Sequence, residues 1–393
     1  MKHQPLYGLV CAGGGAHGAY QVGVLKYIHE HFCDGPRSPF QIFAGTSCGS
    51  LNTTFYAAQS SDAYASRLWL EELWRGFHVP AYHGNVLKNA LKSLYKEWRR
   101  HPSERLTAWA LLDPKPMQDV IIKGFLRDRL ERSFAVGSTC GVAVAATEII
   151  SSRLCWFQEG PHARAWNLFH SIGIIEPITV QHVAASCSVP VFLPPVKLGN
   201  HYFLDGSISM DRPFSAAINM GASRILSIAT DRPSPADLPS YQPIFRPRIT
   251  NVIRLLLNRL GRDATIDEAV QIEMFNRFYD TMPRQKKWSH AQEAVPLFHK
   301  EALPSHYRPV QVCMLFPSRR IRNTSITADP TGSEPRRART RFMFHEKFIG
   351  ELIELGYGDA RDQHRELKDF FAPNPSGQIG SWLGNFGRRS EGQ

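Results

Sequence analysis

The stretch VCAGGGAHGAYQVGVL (residues 10–25) sets an apolar run, a glycine-rich turn and a helical pattern end to end. LYGLVCAG (6–13) is short, apolar and closed by glycines, as a buried strand is. From Ala19 to Phe32 the apolar residues Val24, Leu25, Ile28 and Phe32 fall on one helical face. Between them Gly13, Gly15 and Gly18 spell G-x-G-x-x-G, and Gly14 completes three glycines in a row. Such a loop presents consecutive backbone N–H groups at the start of a helix with no side chain in the way, so it suits a negative group. The order then repeats. FQIFAG (40–45) reads as a second strand, and TSCGSLNTTFYAAQ (46–59) as a turn and a helix. Strand, turn and helix twice over predict an α/β fold on a mainly parallel sheet. Further strands are expected over 141–149, 201–210, 223–230 and 308–316, and a last amphipathic helix from Phe342 to Leu355.

A dinucleotide is the weaker reading of that negative group, and binding of a nicotinamide cofactor would restore it. That site wants an acidic residue at the end of the second strand, and QIFAG ends without one. A P-loop needs Gly-Lys-Ser/Thr after its glycines, which is missing here. The second strand runs instead into Gly45-Thr46-Ser47-Cys48-Gly49, a G-x-S-x-G sequence. Its glycines permit a sharp strand-to-helix turn that lifts the serine hydroxyl clear of the sheet, at a helix start whose dipole favours negative charge. The same residues also fit a helix N-cap serine after a glycine turn. None of the 16 histidines stands in a setting that marks it as the base; His182 and His201 read as packing or surface residues. The stronger candidate is Asp205, in FLDGSI, because a partly desolvated carboxylate within reach of the hydroxyl can take its proton. Asp-Gly is equally the commonest tight hairpin turn. If a serine attacks an acyl carbonyl, the glycine loop has its use: backbone N–H groups aimed at the developing oxyanion, each worth roughly 2.7–4 kcal/mol.

Taken in order, G-G-G-x-x-G, then G-T-S-x-G about 30 residues later, then Asp205-Gly206-Ser207, resemble the patatin-like phospholipases. AASCSVPVFLPPV (184–196), LLDPKPMQDVI (111–121) and VAATEI (144–149) match as well. The resemblance covers residues 6–230, with RPVQVCMLFP and ELGYGDA (354–360) similar to the closing strand and helix of many bacterial members. It implies a three-layer α/β/α sandwich with helical insertions. It also implies a Ser–Asp dyad with Ser47 as nucleophile and Asp205 as proton acceptor. Gly13, Gly14 and Gly15 line the oxyanion hole, supported by His17, Gly18, Gly45, Gly49 and Gly206. The activity implied is hydrolysis of acyl-ester lipids, of phospholipase A or lysophospholipase type, without metal or cofactor. A weakly active or inactive lipid-binding member is the alternative, against which intact Ser47 and Asp205 speak. Two departures matter: His17 stands where the family commonly has Arg or Lys, and Ser207 where it has Gly or Ala.

Composition fits this reading. Hydrophobic residues make up 43% of the 393 and charged residues 21%, the balance of a globular protein, and the net charge is +11. The excess of Lys and Arg favours anionic partners, and an anionic membrane surface met peripherally suits it. No nucleic-acid reader motif accompanies the charge, so no nucleic acid is expected. The seven cysteines show no metal-site spacing and several sit in apolar runs, which points to a reducing compartment. No secretory signal and no membrane-spanning run is visible, and a cytoplasmic location is expected. The boundaries drawn are a catalytic domain over 6–230 with a helical, aromatic and basic lid-like segment at 62–130, an extension over 231–372, and a loose tail at 373–393. Within the extension, 231–307 opens with a proline-rich linker, and RRARTR (336–341) reads as a solvated basic loop or a lipid-headgroup contact.

Overall fold

The computed structural model describes residues 5–33, 35, 37–77, 114–190, 192–231, 264–281, 309–319, 321, 340–341 and 344–373. Their centre is one ten-stranded sheet. Five strands lie parallel in the order β10 (Gln311–Leu315), β9 (Arg224–Ile228), β1 (Tyr7–Cys11), β2 (Ile42–Thr46) and β3 (Gly141–Glu148). Beyond β3 the pairing turns mixed: β4 (Leu154–Glu159) runs antiparallel to β3, and β6 (Ser171–Ile175) and β5 (Trp166–Asn167) complete that edge. The expected α/β class and parallel core are thus present, with an antiparallel flank that the sequence pattern does not mark.

The sheet is covered on both sides. Leu9, Cys11, Phe43, Val142, Val144, Leu226 and Ile228 face one core with α1 (Gly18–Phe32), α2 (Cys48–Ala58) and α9 (Glu346–Asp362). The alternating residues Val10, Ile42, Ala44, Ala143, Ala145 and Ile225 face the other, with α7 (Ser215–Asn219) and α8 (Thr265–Thr281). A strand buried on both faces has no polar side, which is why these runs read as continuously apolar.

β3 is the strand that builds the site. Along one edge it pairs with β2 as far as Ala145, opposite Thr46. On that same edge, β8 (His201–Asp205) then takes over antiparallel, with Asp205 opposite Ala146. β2 and β8 therefore meet head to head, and Ser47 and Asp205 follow from the two ends. A short hairpin partner, β7 (Val196–Leu198), holds β8 from outside.

Two expected boundaries need correction. The strand drawn over 201–210 stops at Asp205 and passes into a 3-10 turn, Gly206–Ile208, because the Asp205 carboxylate accepts the Ser207 N–H at 2.8 Å and curls the chain. The helix drawn over 342–355 starts at Glu346 and runs on to Asp362. Gly356 does not end it; a Cβ there would lie 2.0 Å from the Tyr20 carbonyl, so the glycine is where α9 crosses α1. Of the segment 62–130, the described part is helical: α3 (Ala63–Arg75), α4 (Lys115–Gly124) and the start of α5 (Arg127–Ala135). Residues 78–113, 232–263, 282–308, 322–339 and 374–393 lie outside the described residues, and with them most of the lid-like segment, the linker and the tail.

Candidate active site

Ser47 sits between β2 and α2 with φ 55° and ψ −130°, a left-handed conformation that favours glycine. It holds the N-cap place of α2, yet its side chain makes no cap hydrogen bond. The N-cap reading of this serine therefore fails; its hydroxyl instead acts on the Asp205 carboxylate, whose proton affinity it lowers. A strained serine needs a crowded turn, and the flanking glycines are that crowding. A Cβ at Gly49 would lie 2.1 Å from the Cys11 carbonyl, and one at Gly45 2.4 Å from the Gly49 carbonyl. From across the site Ser186 Oγ accepts the Ser47 N–H at 2.9 Å, and the Ser188 carbonyl accepts the Asp205 N–H at 2.9 Å. The stretch 184–196 thus ties down both residues, a role its sequence does not reveal.

Asp205 is 2% exposed. The hairpin reading of Asp205-Gly206 fails too, since the chain leaves β8 in a 3-10 turn. Burial pushes this carboxyl up to about 6, against hydrogen bonds from Ser47 and Ser207 and the charge of Arg341, which hold it down. It is thus a carboxylate near neutral pH with more affinity for a proton than an exposed aspartate has. Cys48, next to the serine, is pushed up to about 12, first by burial and then by Asp205, so it stays a neutral thiol.

The glycine loop closes the other side. Gly13 abuts the elbow: a Cβ there would lie 3.0 Å from Ser47 Cβ. The Gly14 and Gly15 amides act on Cys48, beside the elbow, by lowering the proton affinity of its thiol. The Gly13 carbonyl accepts the Thr230 hydroxyl at 2.6 Å. Gly18 packs against Trp74 and Cys48, and Gly206 against Ala145. His17 is buried, with Nε2 2.9 Å from the Thr340 hydroxyl. Behind the loop a polar chain fixes its root. Trp74 donates to Asn52 (2.7 Å), Asn52 to Gln21 (2.8 Å), and Gln21 to the Ala12 and Ile228 carbonyls (2.8 and 3.0 Å). Every link is buried and paired, which anchors the root of the loop. Gly14→Ala tests this: its Cβ would fall 2.3 Å from Thr230 Oγ1. It is expected to cost about 1–3 kcal/mol, measured as a lower urea midpoint.

A narrow pocket of about 30 Å³, partly open to solvent, leads from Ser47. Its walls include Leu51, Trp74, Phe77, Met117, Leu193 and Phe344. Arg341 also lines it, contrary to the expected solvated loop: its side chain is 14% exposed and pairs with Asp231 at 3.1 Å. Ser186, Trp74, Arg341 and Phe344 are the site residues that sequence reasoning missed, although each lies in a stretch it had marked. The two histidines set aside are placed as expected. His182 is buried in a helix cap with Thr179, and His201 lies at the surface 3.6 Å from Glu148. Among the described residues no cluster of His, Cys, Asp or Glu is arranged to hold a metal, and no helix is long and apolar enough to cross a membrane. The seven cysteines are free thiols.

Comparison with known proteins gives a family. VipD from Legionella pneumophila is similar at 12% identity and a TM-score of 0.41, over 93% of this chain and 67% of that one. Human GIVD cytosolic phospholipase A2, in complex with methyl gamma-linolenyl fluorophosphonate inhibitor and terbium chloride, is similar at 12% identity and 0.43, over 93% and 59%. The chain thus spans from 59% to 67% of the length of these two proteins. No curated protein sequence matches it. The model described as patatin-like phospholipase matches residues 9–218, just over half of the chain. That match runs from within β1 to within α7 and takes in both strands that meet on β3, so the chain belongs to the patatin-like phospholipase family.

Proposed function

We propose that the chain is a serine lipid acyl hydrolase of phospholipase A or lysophospholipase type, in which Ser47 is the nucleophile and Asp205 the base. The observation that carries this reading is a serine at a strained elbow and a buried carboxylate brought to the same edge of β3 by the pairing of β2 and β8. In the first step Asp205 takes the hydroxyl proton as Ser47 Oγ bonds to the ester carbonyl carbon. The carbonyl oxygen becomes an oxyanion held by amides of the Gly13–Gly15 loop. Collapse expels the alcohol, which leaves with the proton from Asp205, and an acyl-Ser47 ester remains. Water then attacks that ester, again with Asp205 as base, and releases the fatty acid. The apolar walls Leu51, Trp74, Phe77 and Phe344 suit the first carbons of an acyl chain, since they offer it no polar partner. Turnover of a p-nitrophenyl acyl ester series and of phospholipid vesicles by the purified chain tests the reading. An inactive parent chain on both would overturn it and favour the lipid-binding alternative.

The same reading puts the chain at a lipid surface. β3 continues past the elbow to Glu148, so the turn after it stands on the sheet end that carries Ser47. There Ile150 is 90% exposed, and Phe169, in the turn entering β6, is 86% exposed; Tyr202 is exposed nearby. Exposed apolar tips beside the basic Lys197, on a chain of net charge +11, suit an anionic bilayer. Ile150→Asp with Phe169→Asp is expected to cut binding to phosphatidylglycerol-containing vesicles roughly tenfold, because two apolar anchors are lost and two negative charges gained. Turnover of a soluble short-chain ester should be unchanged. Unaltered vesicle sedimentation would remove this face from the proposal.

A further inference from the structure

The family match ends at residue 218, but the site does not. A piece of chain more than 300 residues from the glycine loop is laid against it. The Arg341 carbonyl accepts the Ala16 N–H at 2.7 Å. Thr340 meets His17, and Phe344 closes the pocket over Trp74 and Phe77, its ring centroid 4.4 Å from that of Phe77. The fit is close enough to dictate the loop: Gly15 has φ +60°, and a Cβ on it would lie 2.2 Å from the Arg341 carbonyl. The Arg341 guanidinium is tied to Asp231, just past β9, at 3.1 Å. It is the one basic side chain among the described residues lining the pocket.

We propose that Arg341 is a positioning residue of the active site: its carbonyl braces the glycine loop, and its guanidinium supplies the positive charge of the pocket that Ser47 opens into. The inference rests on the Ser47–Asp205 reading and extends it, because it makes the C-terminal segment part of the hydrolase. Electrostatics agree with the geometry. Arg341 lowers the proton affinity of Asp205 and favours the charged form of Cys48. The other groups facing Asp205 are the Ser47 hydroxyl from the elbow and the N–H and hydroxyl of Ser207 from the 3-10 turn. The thiols of Cys48 and Cys187 also face it, and both are held neutral. None of those is a cation, so Arg341 is the group whose removal should be felt.

The test is kcat/KM against pH for a soluble short-chain p-nitrophenyl ester, with full-length Arg341→Met, Arg341→Lys and Asp231→Asn beside the parent. Arg341→Met keeps the backbone carbonyl and most of the stem but loses the charge. Its acid limb is expected to move up by about half a pH unit, and its kcat to fall roughly tenfold with KM little changed. Arg341→Lys should restore the parent limb. Asp231→Asn leaves the arginine less neutralised and should move the limb down by a few tenths of a unit, which gives a reading even if Arg341→Met does not fold. A limb that stays in place in both Arg341→Met and Asp231→Asn would overturn the proposal and leave Arg341 as a structural tie. Equal losses in the Met and Lys variants with an unmoved limb would do the same. A parent without activity overturns the dyad reading, and this proposal with it, whereas an active parent with an unmoved limb overturns this proposal alone.

Discussion

Ser47→Ala is expected to reduce ester hydrolysis to background, a loss of roughly 10⁴-fold or more, because no other group described in the site can form the acyl intermediate. Among the described residues, Cys48 and Cys187 bring thiols to the pocket, and burial together with Asp205 keeps both neutral. Binding should survive, since the pocket walls are untouched, so the variant is expected to sediment with lipid vesicles as the parent does. Stability offers a second reading of the same residue. At φ 55° and ψ −130°, Ser47 holds a conformation that costs a non-glycine residue about 1–3 kcal/mol. Ser47→Gly should therefore unfold at a higher temperature than Ser47→Ala, although both are inactive. Residual turnover in Ser47→Ala, sensitive to an active-site fluorophosphonate, would show that another residue attacks. Equal melting temperatures would show that the elbow relaxes when the hydroxyl is removed.

Asp205→Asn should remove activity and add stability, and the second effect depends on pH. As the base, Asp205 must be ionised, so parent activity is expected to rise through pH 6 and level off above it. The amide cannot take the proton, and a loss of roughly 10²–10⁴-fold is expected. For stability the sign comes from the direction of the shift. The carboxyl is raised from 3.8 in the unfolded chain to about 6 in the fold. The native state therefore holds its proton more tightly, and stability falls as pH rises from about 4 to about 6. Above that window the buried charge costs up to about 3 kcal/mol, from 1.36 kcal/mol per pH unit. Asparagine carries no charge and can still accept the Ser207 N–H, so Asp205→Asn is expected to be about 2 kcal/mol more stable than the parent at pH 8. That difference should vanish near pH 4. Denaturant midpoints at the two pH values check it. A gain of the same size at both would mean that relief of packing, and not of charge, is responsible. Function here opposes stability, as it commonly does where a charge must be kept in a dry place.

The sequence disclosed those parts of the site that are local. The elbow is five consecutive residues, and its glycines are required within the same turn, so Gly45, Ser47 and Gly49 could be read together. The glycine loop and the strands of the parallel core were legible for the same reason: a strand buried on both faces, followed by a glycine turn and a helical period, states its own structure. The antiparallel flank was not. LCWFQE (154–159) and SIGII (171–175) are short and weakly patterned, and they form strands because β3 offers a free edge on which to pair. Residues that act through side chains arriving from afar were also hidden. Ser186 reaches the Ser47 amide across 139 positions, and Thr340 meets His17 across 323. Nothing in either neighbourhood encodes the other.

The sequence by itself determined the fold class, the nucleophile elbow, the glycine loop and the aspartate, because each is a short pattern whose backbone conformation is set by its own residues. Only the tertiary structure decided that Ser47 and Asp205 face each other, since that depends on β2 and β8 sharing one edge of β3 at Ala145 and Ala146. It alone raised the proton affinity of Asp205, since that results from its burial, and it alone brought Arg341 and Phe344 into the pocket. Pairing register, desolvation and long-range packing are properties of the assembled chain, and no single stretch of residues carries them.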